Sequence, residues 1–466
     1  MGGRAPEPTK TASVPVPLTA VVLLLFVSAA LRFRGVFLDP TFWGEDGTFF
    51  FRQSIEDGPS AILWPVYGTH LLLPRLVAFL VSFLPTFWAP LSYAVAAGVL
   101  SSLSLSLFSQ AGYRWLVADD RVRVLMCWLF SLVPGSYECF LALTPGTYLV
   151  FCGVLLLLLD RDAEGRWRMG LGRAVLISFL WFSLGQSLVL APLVAYLFWL
   201  TRNRNYLLLL ATLSGSVLWN LGADNDEYRP DPLRSPARLV AIYFENLAVR
   251  LGFVPLVPQR WHALVLKMDS PSFLVLSAAL IGSYSWAAFK ARRRDSEGLR
   301  VLVLAVLCVM ATFPLTALAR RYGVALFSRT EMALGGRHAL VPAVIALLLM
   351  WQLLARPGWK GARRVAATGL LAWSTFCVLY EPLSQPPGAP VAPSWQWPQQ
   401  AATIDAALRA RRAGTLQEPV VLSRINCRPA LPPGVWKIRR LTIAPREKPT
   451  PAGRTGRASE ICLPRA

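Results

Sequence analysis

Phe42-Trp43-Gly44-Glu45-Asp46-Gly47-Thr48-Phe49-Phe50-Phe51 sets two adjacent carboxylates in an aromatic run, just behind the first apolar span of the chain. Carboxylates beside a membrane surface are costly unless solvated or paired, so this pair is a functional-site candidate. The competing reading is that Glu45 and Asp46 cap a helix over 48–55, since acids favour a helix N-terminus. Gly44 and Gly47 permit a tight turn on either side. Glu56-Asp57 precedes Gly58-Pro59 and reads as the polar end of the same helix.

The rest of the chain reads as a scaffold for this segment. Of its 466 residues, 55% are hydrophobic and 16% charged, and its mean hydropathy is +0.46. A soluble domain carries about a quarter charged residues. The apolar excess lies in long runs, the mark of a polytopic membrane protein. A net charge of +21 would suggest nucleic acid in a soluble protein. Here much of the arginine lies in short loops between spans, and no nucleic-acid partner is expected. The seven cysteines are too scattered for a metal site or a disulfide framework. Cys127, Cys152, Cys308 and Cys377 lie in apolar spans, while Cys427 and Cys462 lie in the tail and would pair only in an oxidising compartment. His70, His262 and His338 lack metal-ligand spacing. No phosphate-binding loop, dinucleotide fingerprint, Ser-His-Asp order or zinc motif is present, which argues against ATP-driven transport within this chain.

Residues 1–15 read as a disordered cytoplasmic tail. Residues 16–31 read as an uncleaved first span. Residues 32–90 are too broken for a clean span and are expected to form an outward loop with helices lying on the membrane. Further spans are expected near 91–108, 124–134, 147–159, 174–182, 187–200, 206–221, 272–288, 301–318, 340–354 and 365–379. With the N-terminus cytoplasmic, the inward loops 113–123, 160–173, 201–205, 290–300 and 355–364 are all short and rich in Arg or Lys. That alternation predicts an all-α membrane protein with about eleven spans and an extracytoplasmic C-terminus. The transmembrane domain covers 16–380, with outward loops 32–90, 134–145, 222–271 and 320–338. In the tail, 381–466, a helix is expected over 401–412 and a short strand over 419–422. From Asn426 onward the tail is basic, Pro-rich and expected to be poorly ordered.

Two clusters carry the chemistry. Asp46 or Glu45 can act as a general base toward a hydroxyl, or the pair can hold a divalent cation. Arg320-Arg321-Tyr322, Arg329 and Gly335-Gly336-Arg337-His338 lie on the outward side, against the positive-inside bias. Arginine binds phosphate in a bidentate fork, and the paired glycines let a phosphate approach the backbone. Headgroup contact or a salt bridge to Glu331 is the plainer reading of these arginines. His70, Glu138 and Tyr322 are candidates to line a substrate cavity. The run Asp224-Asn-Asp226-Glu227 reads as a solvated acidic loop.

This layout resembles the GT-C superfamily of integral-membrane glycosyltransferases, which includes the protein O-mannosyltransferases. The resemblance rests on the acidic pair in the first outward loop, the membrane-parallel segments after it, His70-Leu-Leu-Leu-Pro74, and the Arg-rich segment running into Leu340-Val-Pro342. It implies an outward-facing site in the bacterial inner membrane, taking a sugar from a polyprenyl-phosphate or pyrophosphate carrier to a glycan, lipid or protein acceptor. Asp46, with Glu45 beside it, would match the family's loop carboxylate. Arg337, Arg321, Arg329, Arg320 and His338 would match phosphate contacts, and Mg or Mn would be the cofactor if one is used. The chain departs from the family in its Glu-Asp order and in the short tail. The alternatives are a transporter or flippase of a lipid-linked glycan, and a surface-polysaccharide polymerase or ligase.

Overall fold

The computed structural model describes residues 16–221 apart from 39, 41, 44, 67–68, 134–135 and 163, then 297–320, 397–428 and 437–443, with isolated helical positions between 272 and 376. The described chain is mostly helical. Helix α1 (Leu18–Arg32) is followed by a short α2 (Arg34–Leu38), a two-residue strand β1 (Phe42–Trp43), a π-helical turn (Asp46–Phe51) and α3 (Arg52–Glu56). Then come α4 (Leu72–Val81), α5 (Ala89–Ser106), α6 (Asp120–Leu132), α7 (Ser136–Leu141), α8 (Leu143–Leu159), α9 (Leu171–Trp181), α10 (Ala191–Thr201) and α11 (Asn205–Leu221). Helix α12 (Glu297–Arg320) packs on α10, and α13 (Trp397–Ala413) precedes strands β2 (Val420–Arg428) and β3 (Lys437–Ile443).

Helix α5 is the hub, packing against α1, α7 and α8. With its short lead-in turn it spans Thr86–Ser109, long and apolar enough to cross a membrane, whereas Leu18–Arg32, Leu143–Leu159, Leu171–Trp181 and Ser187–Thr201 are apolar but shorter. The expected spans 272–288, 340–354 and 365–379 lie outside the described residues apart from isolated positions. Helix α5 has its polarity turned inside out. Ser101, Ser102 and Ser106 are buried, while Val95, Val99 and Leu103 face outward. Ser101 Oγ donates to the Cys139 carbonyl at 2.7 Å. Gly153 of α8 lies so close to α5 that a Cβ there would sit 2.9 Å from the Ser104 Cβ. Small and hydroxylated residues at a helix contact allow this approach and satisfy polar groups away from water.

The connections gather at two ends. At one end, Arg161 N–H donates to the Gly112 carbonyl at 3.3 Å, and Asn203 and Asn205 side chains both donate to the Met169 carbonyl. The Arg161 guanidinium lies over Trp115 and Trp167, 4.6 and 4.3 Å from their ring centroids. At the other end, the Leu73 N–H donates to Ser183 Oγ at 2.6 Å and the His70 N–H to Asn220 Oδ1 at 2.8 Å. The segment 134–145, expected as an outward loop, holds the helix α7 and the start of α8.

The tail reaches back to this second end. Helix α13 covers the expected 401–412 and is longer. The expectation of poor order after Asn426 is corrected for 426–428 and 437–443: β2 runs to Arg428 and pairs antiparallel with β3, from Val420↔Ile443 to Asn426↔Lys437, while 429–436 and 444–466 lie outside the described residues. Aliphatic residues recur along both strands, and the prolines 429, 432 and 433 fall between them. Charge and proline content had outweighed this pattern in the sequence. Strand β1 joins as the third strand, parallel to β2, with Phe42 opposite Cys427 and Trp43 opposite Arg428. Trp397 packs edge-on to Phe42 and Phe51, at 5.2 and 5.9 Å between centroids, and its Nε1–H donates to the Phe87 carbonyl at 3.0 Å. Asp405 accepts from the Thr86 N–H, capping the lead-in to α5. Arg411 donates to the Ile55 and Glu56 carbonyls at the C-terminus of α3. These contacts fix the acidic loop between the helical body and the tail.

Candidate active site

Asp46 sits in the first turn of the π-helical segment and is 1% exposed. A π-turn is rare and often marks a functional site. The acids do not cap their own helix: the segment has no side-chain cap. Instead Asp46 caps another helix, 97 residues away in sequence. Ala142, in extended conformation, breaks α7 from α8 and opens the N-terminus of α8. Its first N–H groups have no intrahelical acceptor. Asp46 Oδ2 accepts from the Leu143 N–H at 2.8 Å, and Oδ1 accepts from the Thr144 N–H and the Thr144 hydroxyl, both at 3.2 Å. Pro145 has no N–H to add.

Burial outweighs these bonds. It pushes the Asp46 carboxyl up to about 7, with a smaller upward push from Glu45; the Leu143 and Thr144 donors pull the other way. The group therefore divides between acid and carboxylate near neutrality, the range suited to proton transfer. Glu45 stands beside it, 9% exposed. Phe49, Phe50 and Phe51 are buried with Phe42 and Tyr93 in one apolar cluster that Trp397 and Ile404 of the tail complete.

The other expected residues are placed as follows. Glu138 lies on α7 and is buried, and its carbonyl accepts from the Ala142 N–H one turn before the α8 start that holds Asp46. His70 is half-buried, with its ring edge-on to Trp219 at 5.1 Å; burial holds its imidazole below the usual range. Arg320 closes α12. Arg321, Tyr322, Arg329, Arg337 and His338 lie outside the described residues. Among the described residues no group of three or more His, Cys, Asp or Glu stands together as a metal site.

Arg75 is a further candidate that the residue pattern does not single out. It lies on α4, is 2% exposed, and none of its guanidinium nitrogens has a hydrogen-bond partner. Its Cζ lies 5.0 Å from the Phe50 ring centroid. Burial pulls its pKa down to about 10, which leaves it charged at neutral pH. Tyr93 of α5, beside Ser54, lies within electrostatic range of both Asp46 and Arg75. The signal was a single arginine in a ten-residue helix of otherwise apolar residues and proline.

No known family matches this chain, and no curated protein matches it.

Proposed function

We propose that the protein is a polytopic glycosyltransferase of the bacterial inner membrane, moving a sugar from a polyprenyl-phosphate or pyrophosphate carrier to a hydroxyl acceptor on the extracytoplasmic face. The observation that carries the reading is Asp46: a buried carboxyl, fixed by the α8 N-terminus and raised to about 7, in the first loop after the first apolar helix. Membrane placement is supported by the outward aliphatic face and buried serines of α5. It is also supported by the gathering of the arginine-rich connections at the end of the body opposite Asp46.

In this reading the Asp46 carboxylate accepts the proton of the acceptor hydroxyl. The hydroxyl oxygen bonds to the anomeric carbon of the donor, and the bond from that carbon to the phosphate oxygen breaks. The lipid phosphate leaves with the electron pair. Glu45 adds negative charge that favours proton uptake by Asp46. Arg320, Arg321, Arg329, Arg337 and His338 are assigned to the donor phosphate on sequence alone, and a Mg or Mn ion held by Asp46 and Glu45 would supply further charge stabilisation.

Transfer should rise with pH through a limb centred near 7, because the base works deprotonated. A limb that persists in Asp46→Asn would assign it to another group and remove Asp46 from the mechanism. Runs with and without Mg or Mn test the cation.

A further inference from the structure

Arg75 presents a physical problem that the fold does not solve. A buried guanidinium without hydrogen bonds costs several kcal/mol relative to water. Native structures leave few such groups, and each one calls for an explanation such as a missing ion. Arg75 makes no hydrogen bond, and its guanidinium lies against the face of Phe50. That ring continues the segment that begins at Asp46. His70 lies within electrostatic range of Arg75, and its Nδ1 is also buried without a partner. Asp57 is in electrostatic range too. A five-donor fork, an open imidazole nitrogen and an aromatic wall thus converge beside the acidic loop.

We propose that Arg75 is an anion-binding residue of this site and takes a phosphate group of a phosphate ester. The planar fork matches two phosphate oxygens at once. The phosphate would supply the hydrogen bonds that the protein leaves unmade. The assignment rests on the proposed function for the identity of the ester, a prenyl phosphate, while binding itself is measured separately.

The test uses the full chain in lipid nanodiscs, with a short-chain prenyl phosphate, the matching prenyl alcohol and inorganic phosphate as probes. Wild type should bind the prenyl phosphate and not the alcohol, and Arg75→Met should weaken that binding at least tenfold, with a smaller loss in Arg75→Lys. Inorganic phosphate binding as tightly as the prenyl ester would identify a free phosphate compound as the ligand. Much weaker inorganic phosphate binding would identify the lipid carrier. Either result sustains the site. Without ligand, Arg75→Met should melt no lower than wild type, and the prenyl phosphate should raise the Tm of wild type only. Binding of the prenyl phosphate by Arg75→Met at wild-type affinity would overturn the proposal, as would a melting loss restored by Arg75→Lys. Arg75-dependent binding without any sugar transfer would defeat the glycosyltransferase reading and leave the anion site standing. Transfer and binding that both survive Arg75→Met would do the reverse.

Discussion

Arg123 and Arg75 are buried to the same degree, 1% and 2% exposed, at opposite ends of the helical body. Arg123 is saturated. Its Nη1 donates to the Val117 and Ala118 carbonyls, its Nε to Ser109, and its Nη2 pairs with Asp120, which also binds Arg114 at 2.9 Å. Arg75 has none of this. The two acids differ likewise: Asp120 is held by arginines, whereas among the described residues the donors to Asp46 are the neutral Leu143 and Thr144, with a second acid beside it. Charge at the first end closes a loop on itself, since 109–123 supplies every partner. At the second end the Arg75 guanidinium makes no hydrogen bond, and the neighbouring acidic segment is held in part by ring and backbone contacts from residues more than 300 positions away. A protein that can saturate a buried arginine in one place, and does not in another, keeps the second for something that arrives.

The contrast breaks first on stability. Arg123→Met strands the Ser109, Val117 and Ala118 carbonyls and leaves the buried Asp120 with Arg114, and should cost about 3–5 kcal/mol. Thermal unfolding of detergent-solubilised protein would show this as a large fall in Tm, against little or no fall for Arg75→Met. Equal losses would erase the distinction.

The acids give the next effect, of up to roughly 4 kcal/mol. An acid whose pKa is raised from 3.8 to about 7 on folding stabilises the fold fully below its ordinary range. That contribution is lost as pH rises through about 7, because the folded state holds the proton more tightly. Stability should therefore decline between about pH 4 and 7, and Asp46→Asn should flatten the decline. Unfolding midpoints across this range, wild type against variant, measure it.

Detaching the tail sharpens the comparison. Trp397→Ala removes a large buried ring from the cluster around Phe42 and Phe51 and should cost roughly 3 kcal/mol locally. Limited proteolysis should then cut within 397–443 faster, while the Arg123 end stays protected. The smallest effect is Asp405→Ala, which uncaps the Thr86 N–H and should cost about 1 kcal/mol. Hydrogen exchange at 86–88 would report it.

Much of this was legible in the sequence, for identifiable reasons. Helices α1, α5, α8 and α11 follow from apolar runs, and Glu45-Asp46 stood out as charge within an aromatic segment. The partners of Asp46 did not, because they are mainly backbone N–H groups exposed by a helix break at Ala142, and backbone donors leave no trace in side-chain pattern. The sheet was half hidden, since its β1 edge is only two residues long and pairs with the tail. Arg75 was hidden by its neighbours: a single cation in an apolar helix reads as a snorkelling surface residue until its burial is known. The phosphate contacts expected at 320–338 fall almost wholly outside the described residues.

The most direct measurement is donor turnover by the purified full chain in lipid. It would be given a panel of polyprenyl-phosphate sugars and a hydroxyl acceptor, and release of free polyprenyl phosphate would be followed in wild type and Asp46→Asn. Release that falls by about 10²–10⁴-fold in Asp46→Asn, with the fold intact, is the predicted result. Release at the wild-type rate from Asp46→Asn would contradict the account and leave Asp46 as the cap of α8 alone.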